Sequence, residues 1–199
     1  GDALNISKLR DSRRNVENLN YFSKVDIQTE PTGPNKADLN VNVEEKSTGY
    51  FNVGIGYSTT NGALLRAGVT ENNFRGRGQE LGFNVGISQR TKDYDISFTE
   101  PYFLGRRLSA GADLFMTQQD YEDEASYDTS SKGGRIRFGW NYTDVFSHYV
   151  RYTLSRNDVN HVKSYASEFV KAEEGSSTAS VIGETFVYDK RDNAINTKE

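Results

Sequence analysis

From Leu81 to Ser88 the chain alternates without a break. Leu81, Phe83, Val85 and Ile87 fall to one side, and Gly82, Asn84, Gly86 and Ser88 to the other. Successive side chains of a β-strand point to opposite faces, so this segment carries one apolar face and one wet or crowded face. The pattern recurs along most of the sequence. Phe51, Val53, Ile55 and Tyr57 alternate with Asn52, Gly54 and Gly56, and Leu65, Ala67 and Val69 with Arg66, Gly68 and Thr70. Ile136, Phe138, Trp140 and Tyr142 alternate with Arg135, Arg137, Gly139 and Asn141, and Val150, Tyr152 and Leu154 with Arg151, Thr153 and Ser155. Arginine, asparagine and glycine thus stand where a packed soluble core would place Val or Leu. The apolar faces are predicted to meet lipid, around an aqueous interior. A soluble β-sandwich or lipocalin-like barrel also alternates, but the polar second faces and the long strands weigh against it.

Eight strands are predicted after Gly49, centred on residues 49–57, 63–73, 79–89, 93–102, 107–118, 134–143, 148–156 and 178–188. Their lengths approach the ~9–11 residues that a tilted membrane strand needs. The last is the least regular, because Glu184 and Thr185 blur its two faces. Thr60-Asn61-Gly62 is a hairpin signal, and Arg75-Gly76-Arg77-Gly78, Arg90-Thr91-Lys92 and Gly105-Arg106 are also short connections. Two connections are expected to be long, Gln119 to Gly133 and Asn157 to Ser177. They follow the fifth and seventh strands, so an up-and-down order places both at one end, as in an outer-membrane barrel. Phe74, Tyr102, Phe103 and Phe146 gather at the short-turn end and Tyr57, Tyr94 and Tyr121 at the other, positions that suit interfacial aromatic girdles.

The first 46 residues read differently. Ile6, Leu9, Val16 and Leu19 recur at helical spacing, and Asn20 stands where a left-handed cap would end the helix. Val25, Ile27 and Thr29 then alternate with Lys24, Asp26 and Gln28. Pro31, Gly33 and Pro34 mark a turn, and Ala37, Leu39, Val41 and Val43 form a second alternating run. The expectation is a helix and two strands, a small α+β unit with a core too small to be comfortable alone.

Composition fits this picture. No run approaches the roughly 18–20 apolar residues of a membrane helix, yet a barrel strand needs only every second residue apolar. Glycine numbers 18 and proline only 3, which favours long strands over loops. There is no cysteine, hence no disulfide framework and no thiolate chemistry. The net charge of −4 argues against nucleic acid as a partner. No initiator Met or signal peptide opens the chain, and Asp189 to Glu199 reads as an unfinished turn, so the expectation is a piece of a longer protein.

Candidate chemistry is sparse. His148, expected in a short turn, and His161, expected in a long loop, lack a second ligand nearby, and no metal role is assigned to them. Asp120, Glu122, Asp123, Glu124 and Asp128 concentrate acid in the expected loop 119–133, without the Gly and terminal Glu of an EF-hand. They read as a solvated loop. Arg75-Gly76-Arg77-Gly78 is no phosphate loop, since neither Lys-Ser nor Lys-Thr follows. No nucleophile elbow is present. The sequence gives no support for an enzyme and implies no cofactor. The first predicted sheet strand is the better candidate. Gly49, Gly54 and Gly56 leave its inner face nearly bare, and glycine weakens a strand. Two readings stay open: a soft seam that offers backbone groups to an incoming strand, or simple relief of crowding inside a barrel.

Glu45-Lys46-Ser47-Thr48-Gly49-Tyr50-Phe51-Asn52-Val53-Gly54-Ile55-Gly56-Tyr57 resembles the junction between the last POTRA domain and the first barrel strand in BamA-type outer-membrane protein assembly factors. The likeness continues through Leu65-Arg66-Ala67-Gly68-Val69, Asn73-Phe74-Arg75-Gly76-Arg77-Gly78 and Glu100-Pro101-Tyr102-Phe103, and upstream through Leu19-Asn20-Tyr21-Phe22-Ser23-Lys24-Val25. The family usually has Gly where this chain has Asn20, and both tolerate a left-handed cap. The resemblance implies an antiparallel up-and-down transmembrane β-barrel, of which this chain holds the N-terminal half, about eight strands. Residues 1–47 would be the C-terminal part of the last POTRA domain, and 48–199 the barrel half. It implies the outer membrane, with the N-terminal segment in the periplasm. Implied partners are unfolded β-barrel substrates, membrane lipid and the accessory lipoproteins of an assembly complex. The substrate-pairing seam would be Gly49, Tyr50, Phe51, Asn52, Val53, Gly54, Ile55, Gly56 and Tyr57. A POTRA-bearing transporter that secretes a partner protein is the nearest alternative, and a porin-like channel a more distant one.

Overall fold

The computed structural model describes residues 5–34, 36–121, 126–143 and 145–190. The chain divides into two compact units, Gly1–Gly49 and Tyr50–Glu199. In the first, helix α1 (Ile6–Asn18) is followed by strands β1 (Phe22–Gly33) and β2 (Lys36–Glu45). Asn5 caps α1, its side chain accepting from the backbone N–H groups of Ser7 and Lys8. The left-handed residue expected at the other end is found: Asn20 has φ 60°. β1 and β2 pair antiparallel, with Val25 opposite Val43 and Ile27 opposite Val41. α1 packs on β1, and Val25 is buried.

The second unit holds β3 (Gly49–Ser58, whose first residue closes the first unit), β4 (Gly62–Phe74), β5 (Gln79–Ser88), β6 (Thr91–Glu100), β7 (Leu108–Asp120), β8 (Asp128–Asn141), β9 (Phe146–Asn160) and β10 (Gly175–Tyr188). They form one sheet in strict sequence order, with β3 and β10 at its edges. The eight predicted strands are all present, and the sheet is antiparallel.

Register shows how the two faces are built. Val69, Phe83, Ile96, Leu114, Gly134 and Leu154 lie in one cross-strand row, and Glu71, Leu81, Phe98, Ala112, Ile136, Tyr152 and Ile182 in another. The opposite face carries Thr70, Gly82, Ser97, Asp113, Arg135 and Thr153 in a row. The apolar face is the open one: Phe51 is 82% and Ile55 87% exposed, and Phe83 and Ile87 are exposed as well. Among the described residues, the buried polar side chains are Thr70, Ser88 and Asp113, all on the polar face. A sheet whose polar side is enclosed and whose apolar side is bare is concave toward its polar side. In water that would invert the hydrophobic effect. It is stable where hydrocarbon wets the outside, because the backbone groups of the strands between the two edges are satisfied within the sheet.

The connections differ from expectation. β7 runs on to Asp120 and β8 begins at Asp128, so Asp120 and Asp128 are paired strand residues and not parts of a long loop. Glu122, Asp123 and Glu124 lie outside the described residues. β9 extends to Asn160, and the segment 161–174 contains a short helix, α2 (Glu168–Ala172). In contrast, the turn expected at Gly105-Arg106 is a longer connection, 101–107, containing a 3₁₀ turn at Phe103–Gly105. The asymmetry between the two ends therefore rests on segment 161–174. Tilt explains the longer strands. Rows of hydrogen-bonded partners cross a barrel obliquely, so the row through Ala67, Val85, Tyr94 and Met116 continues into Lys132, Arg156 and Thr178. Those strands go on pairing after their side chains have become hydrophilic.

Candidate functional site

β3 is an edge strand, and every residue of it from Gly49 to Tyr57 is exposed. Its faces follow from Asn52. An added Cβ at Gly68 would lie 2.4 Å from Asn84 Oδ1 and 3.0 Å from Asn52 Oδ1, so Asn52 shares the polar face with both. Alternation then sends Tyr50, Gly54 and Gly56 to the polar face and Gly49, Phe51, Val53, Ile55 and Tyr57 to the apolar face, so Gly49 does not share the inner face as expected, and Tyr50 and Asn52 partly clothe it.

The glycines separate into two kinds. Several on the polar face are notches filled by a neighbour. A Cβ at Gly111 would meet the Arg137 guanidinium at 2.9 Å, one at Gly139 would meet the Tyr149 ring at 2.7 Å, and one at Gly183 would meet Arg151 Nε at 2.9 Å. At Gly133 a Cβ would strike the Leu154 carbonyl and the Phe115 ring. These glycines relieve crowding. Gly54 and Gly56 do not, because a Cβ at either finds no atom within 4 Å. Within the described sheet no neighbour crowds Gly54 or Gly56.

The polar wall holds a charged cluster that alternation alone could not assemble. Asp113 is 5% exposed. Arg137 grips it with both forks, Nε to Oδ2 at 2.9 Å and Nη2 to Oδ1 at 2.7 Å, the bidentate geometry that suits a guanidinium to a carboxylate. Arg137 Nη2 also donates to Thr99 Oγ1 at 3.1 Å. Arg135, directly opposite Asp113 in register, approaches Oδ2 at 3.6 Å and donates from Nε to Thr153 Oγ1 at 3.2 Å. Arg135 and Arg137 were readable as one face of a strand, but Asp113 is 22 and 24 residues upstream and is brought to them only by the β7–β8 register.

Of the two histidines, His161 lies in a connection as expected, and His148 does not. His148 is inside β9, not in a turn. On the apolar face its ring stacks on Phe186 at 4.2 Å and lies 5.7 Å from Trp140. With Tyr142 and Phe146 these rings form an aromatic patch beside the 142–145 connection. The missed signal was the i, i+2 spacing of Phe146 with His148, which continues the face of Val150, Tyr152 and Leu154. His161 follows β9 and sits 2.8 Å from Asp128 Oδ2. No group of three or more potential metal ligands occurs among the described residues. Glu184 falls on the apolar face opposite Val150, and Thr185 on the polar face opposite Tyr149.

A family profile described as the Omp85 superfamily domain matches residues 73–199. The chain belongs to the Omp85 superfamily. A second profile, POTRA, described as a surface antigen variable number repeat, matches residues 1–46 of this Omp85 chain. Among curated relatives, the outer membrane protein assembly factor BamA of Neisseria meningitidis serogroup B is 30% identical over 174 residues, covering 83% of the chain and 22% of the relative. BamA of Nitratidesulfovibrio vulgaris is 28% identical over 193 residues, covering 96% of the chain and 24% of the relative. The Omp85 chain thus spans about a quarter of the length of these relatives. Among solved structures, BamA from Haemophilus ducreyi lacking POTRA domains 1–3 superposes with a TM-score of 0.76 at 20% identity, over 98% of this chain and 40% of that one. CdiB from Acinetobacter baumannii superposes with a TM-score of 0.53 at 17% identity, over 96% and 39%. Both share the fold. The Omp85 chain is an outer-membrane protein of barrel type, and its N-terminal unit lies in the periplasm.

Proposed function

We propose that this chain is the POTRA–barrel junction of a factor that assembles β-barrel proteins into the outer membrane, with β3 as the seam on which a substrate strand is templated. Residues 1–47 would complete the last POTRA domain and 48–199 supply the first half of the barrel. Unfolded barrel proteins are the proposed substrates, and accessory lipoproteins the proposed partners. Both β3 and β10 border the sheet; the observation that carries the reading is what sets β3 (Gly49–Ser58) apart, its Gly54 and Gly56, where an added side chain meets no neighbour. An edge strand presents a row of backbone donors and acceptors, and an added strand gains affinity through main-chain hydrogen bonds. Outward Phe51, Val53 and Ile55 give such a strand a lipid-compatible face. The assembly-factor names of the relatives at 28–30% identity favour this reading over a secretion transporter.

A photocrosslinking side chain placed in turn at each position from 49 to 57 of the full-length protein tests it in cells. Crosslinks to the C-terminal strand of a barrel substrate are expected at several of these positions and not at Phe83, in mid-sheet. Equal yield at Phe83, or none along β3, would exclude templating by this strand.

A further inference from the structure

The polar wall is charged unevenly. From β6 to β9 its acids are Asp93, Asp95 and Asp113, on β6 and β7, and its bases Arg135, Arg137 and Arg151, on β8 and β9; farther along, Arg66 on β4 lies beside Asp93, and Glu80 on β5 shares the same face. Arg137 and Arg151 are direct cross-strand partners, an arrangement that like charges disfavour. Asp113 is committed to Arg137 and Arg135. Arg151 has no carboxylate partner among the described residues, and its side chain lies over the notch at Gly183.

Between the two guanidiniums is a concavity lined by Arg137, Arg151, Tyr149, Thr99, Ser109 and Thr185. The glycines at 111 and 183, also in its lining, make the room. Its uncommitted donors are the Arg151 guanidinium and the hydroxyls of Tyr149 and Thr185, while Arg137 is held by Asp113 and Thr99, and Ser109 donates to the Gly139 carbonyl; no acid lines it. This is the donor set of an oxyanion site. Strand β10, which closes it on one side, contributes Ala179, Val181, Gly183, Thr185 and Val187 to the polar face, none of them acidic.

We propose that this concavity binds a side-chain carboxylate of an acidic polypeptide segment lying in the barrel lumen. A polypeptide suits the wall better than a free ion. The site is open, where a single exposed ion pair contributes little. A chain carrying several carboxylates offers a high effective concentration of them. The proposal rests on the fold and the charges, and does not depend on whether β3 templates substrates.

The test uses the full-length protein reconstituted in lipid. A single reporter thiol is introduced by Thr185→Cys, with any cysteine outside these 199 residues, which hold none, replaced by serine. Its reaction with an anionic thiol reagent is followed with and without hexaglutamate or inorganic phosphate. Saturable protection by hexaglutamate is expected, with phosphate protecting far less. Arg151→Gln should weaken that protection at least tenfold, and Arg156→Gln, on the other face of β9, should leave it unchanged. Heat-modifiable migration checks that each variant is folded. Protection by phosphate alone, protection that survives Arg151→Gln, or no protection by either probe would overturn the proposal.

Discussion

Replacing Gly54 and Gly56 together by valine should leave the barrel folded and cut the assembly of outer-membrane proteins several-fold. Both positions accept a Cβ without contact, so no clash is introduced. Valine prefers extended backbone, and glycine in a strand interior is weaker by roughly 0.5–1 kcal/mol per site. Two substitutions therefore stabilise β3 in its paired form by about 1–2 kcal/mol, which lowers the population of an opened edge by roughly five- to thirty-fold. Gly133→Ala is the contrasting change. Its methyl group would strike the Leu154 carbonyl, so it should damage β8–β9 pairing and lower the amount of folded barrel itself. Steady-state levels of several barrel proteins, measured beside the heat-modifiable migration of the factor, separate the two effects. Unaltered levels in the double valine variant would count against the seam.

Asp113→Ala should be the most destabilising single substitution on the polar wall. The carboxylate is almost fully enclosed and holds two guanidiniums. Removing one partner of a buried pair costs about 3–5 kcal/mol. The Arg135 and Arg137 side chains keep 39% and 37% exposure and can recover water, so a loss of about 2 kcal/mol is expected. The double variant Asp113→Ala/Arg137→Ala should be more stable than Asp113→Ala alone, because the stranded charge is removed with its partner. Urea midpoints of the lipid-reconstituted protein provide the comparison. Equal midpoints for wild type and Asp113→Ala would mean that the cluster contributes nothing to the wall.

The architecture was legible because a lipid-facing strand is written in a two-residue code. Phe51 to Tyr57 and Leu81 to Ser88 each fix a strand, its direction of facing and the medium on either side. The code stops at the edge of hydrocarbon. From Asp128 to Ser131 the side chains are polar on both faces, so nothing in their order separates strand from loop, although all four pair with β7 and β9. The pattern therefore predicts shorter strands and longer loops than the structure has. Partners across the sheet are hidden for a different reason. That Arg135 and Arg137 share a face follows from spacing alone, but that Asp113 lies between them depends on register. No two-residue hairpin signal stands in the sequence between β7 and β8 from which that register could be read. Likewise, bare glycines looked alike in the sequence. Only packing distinguishes Gly111 and Gly183, which cradle arginines, from Gly54 and Gly56, which cradle nothing.

All of this depends on what wets each side of the sheet. Spin labels placed singly at Phe83, Ile96 and Leu114, and at Asn84, Ser97 and Thr117, in the full-length protein in lipid report it directly. Labels at the first three should be relaxed by oxygen dissolved in the bilayer, and labels at the other three by a water-soluble nickel complex. Nickel access at Phe83, Ile96 and Leu114 equal to that at Asn84 would contradict an outer face bathed in hydrocarbon.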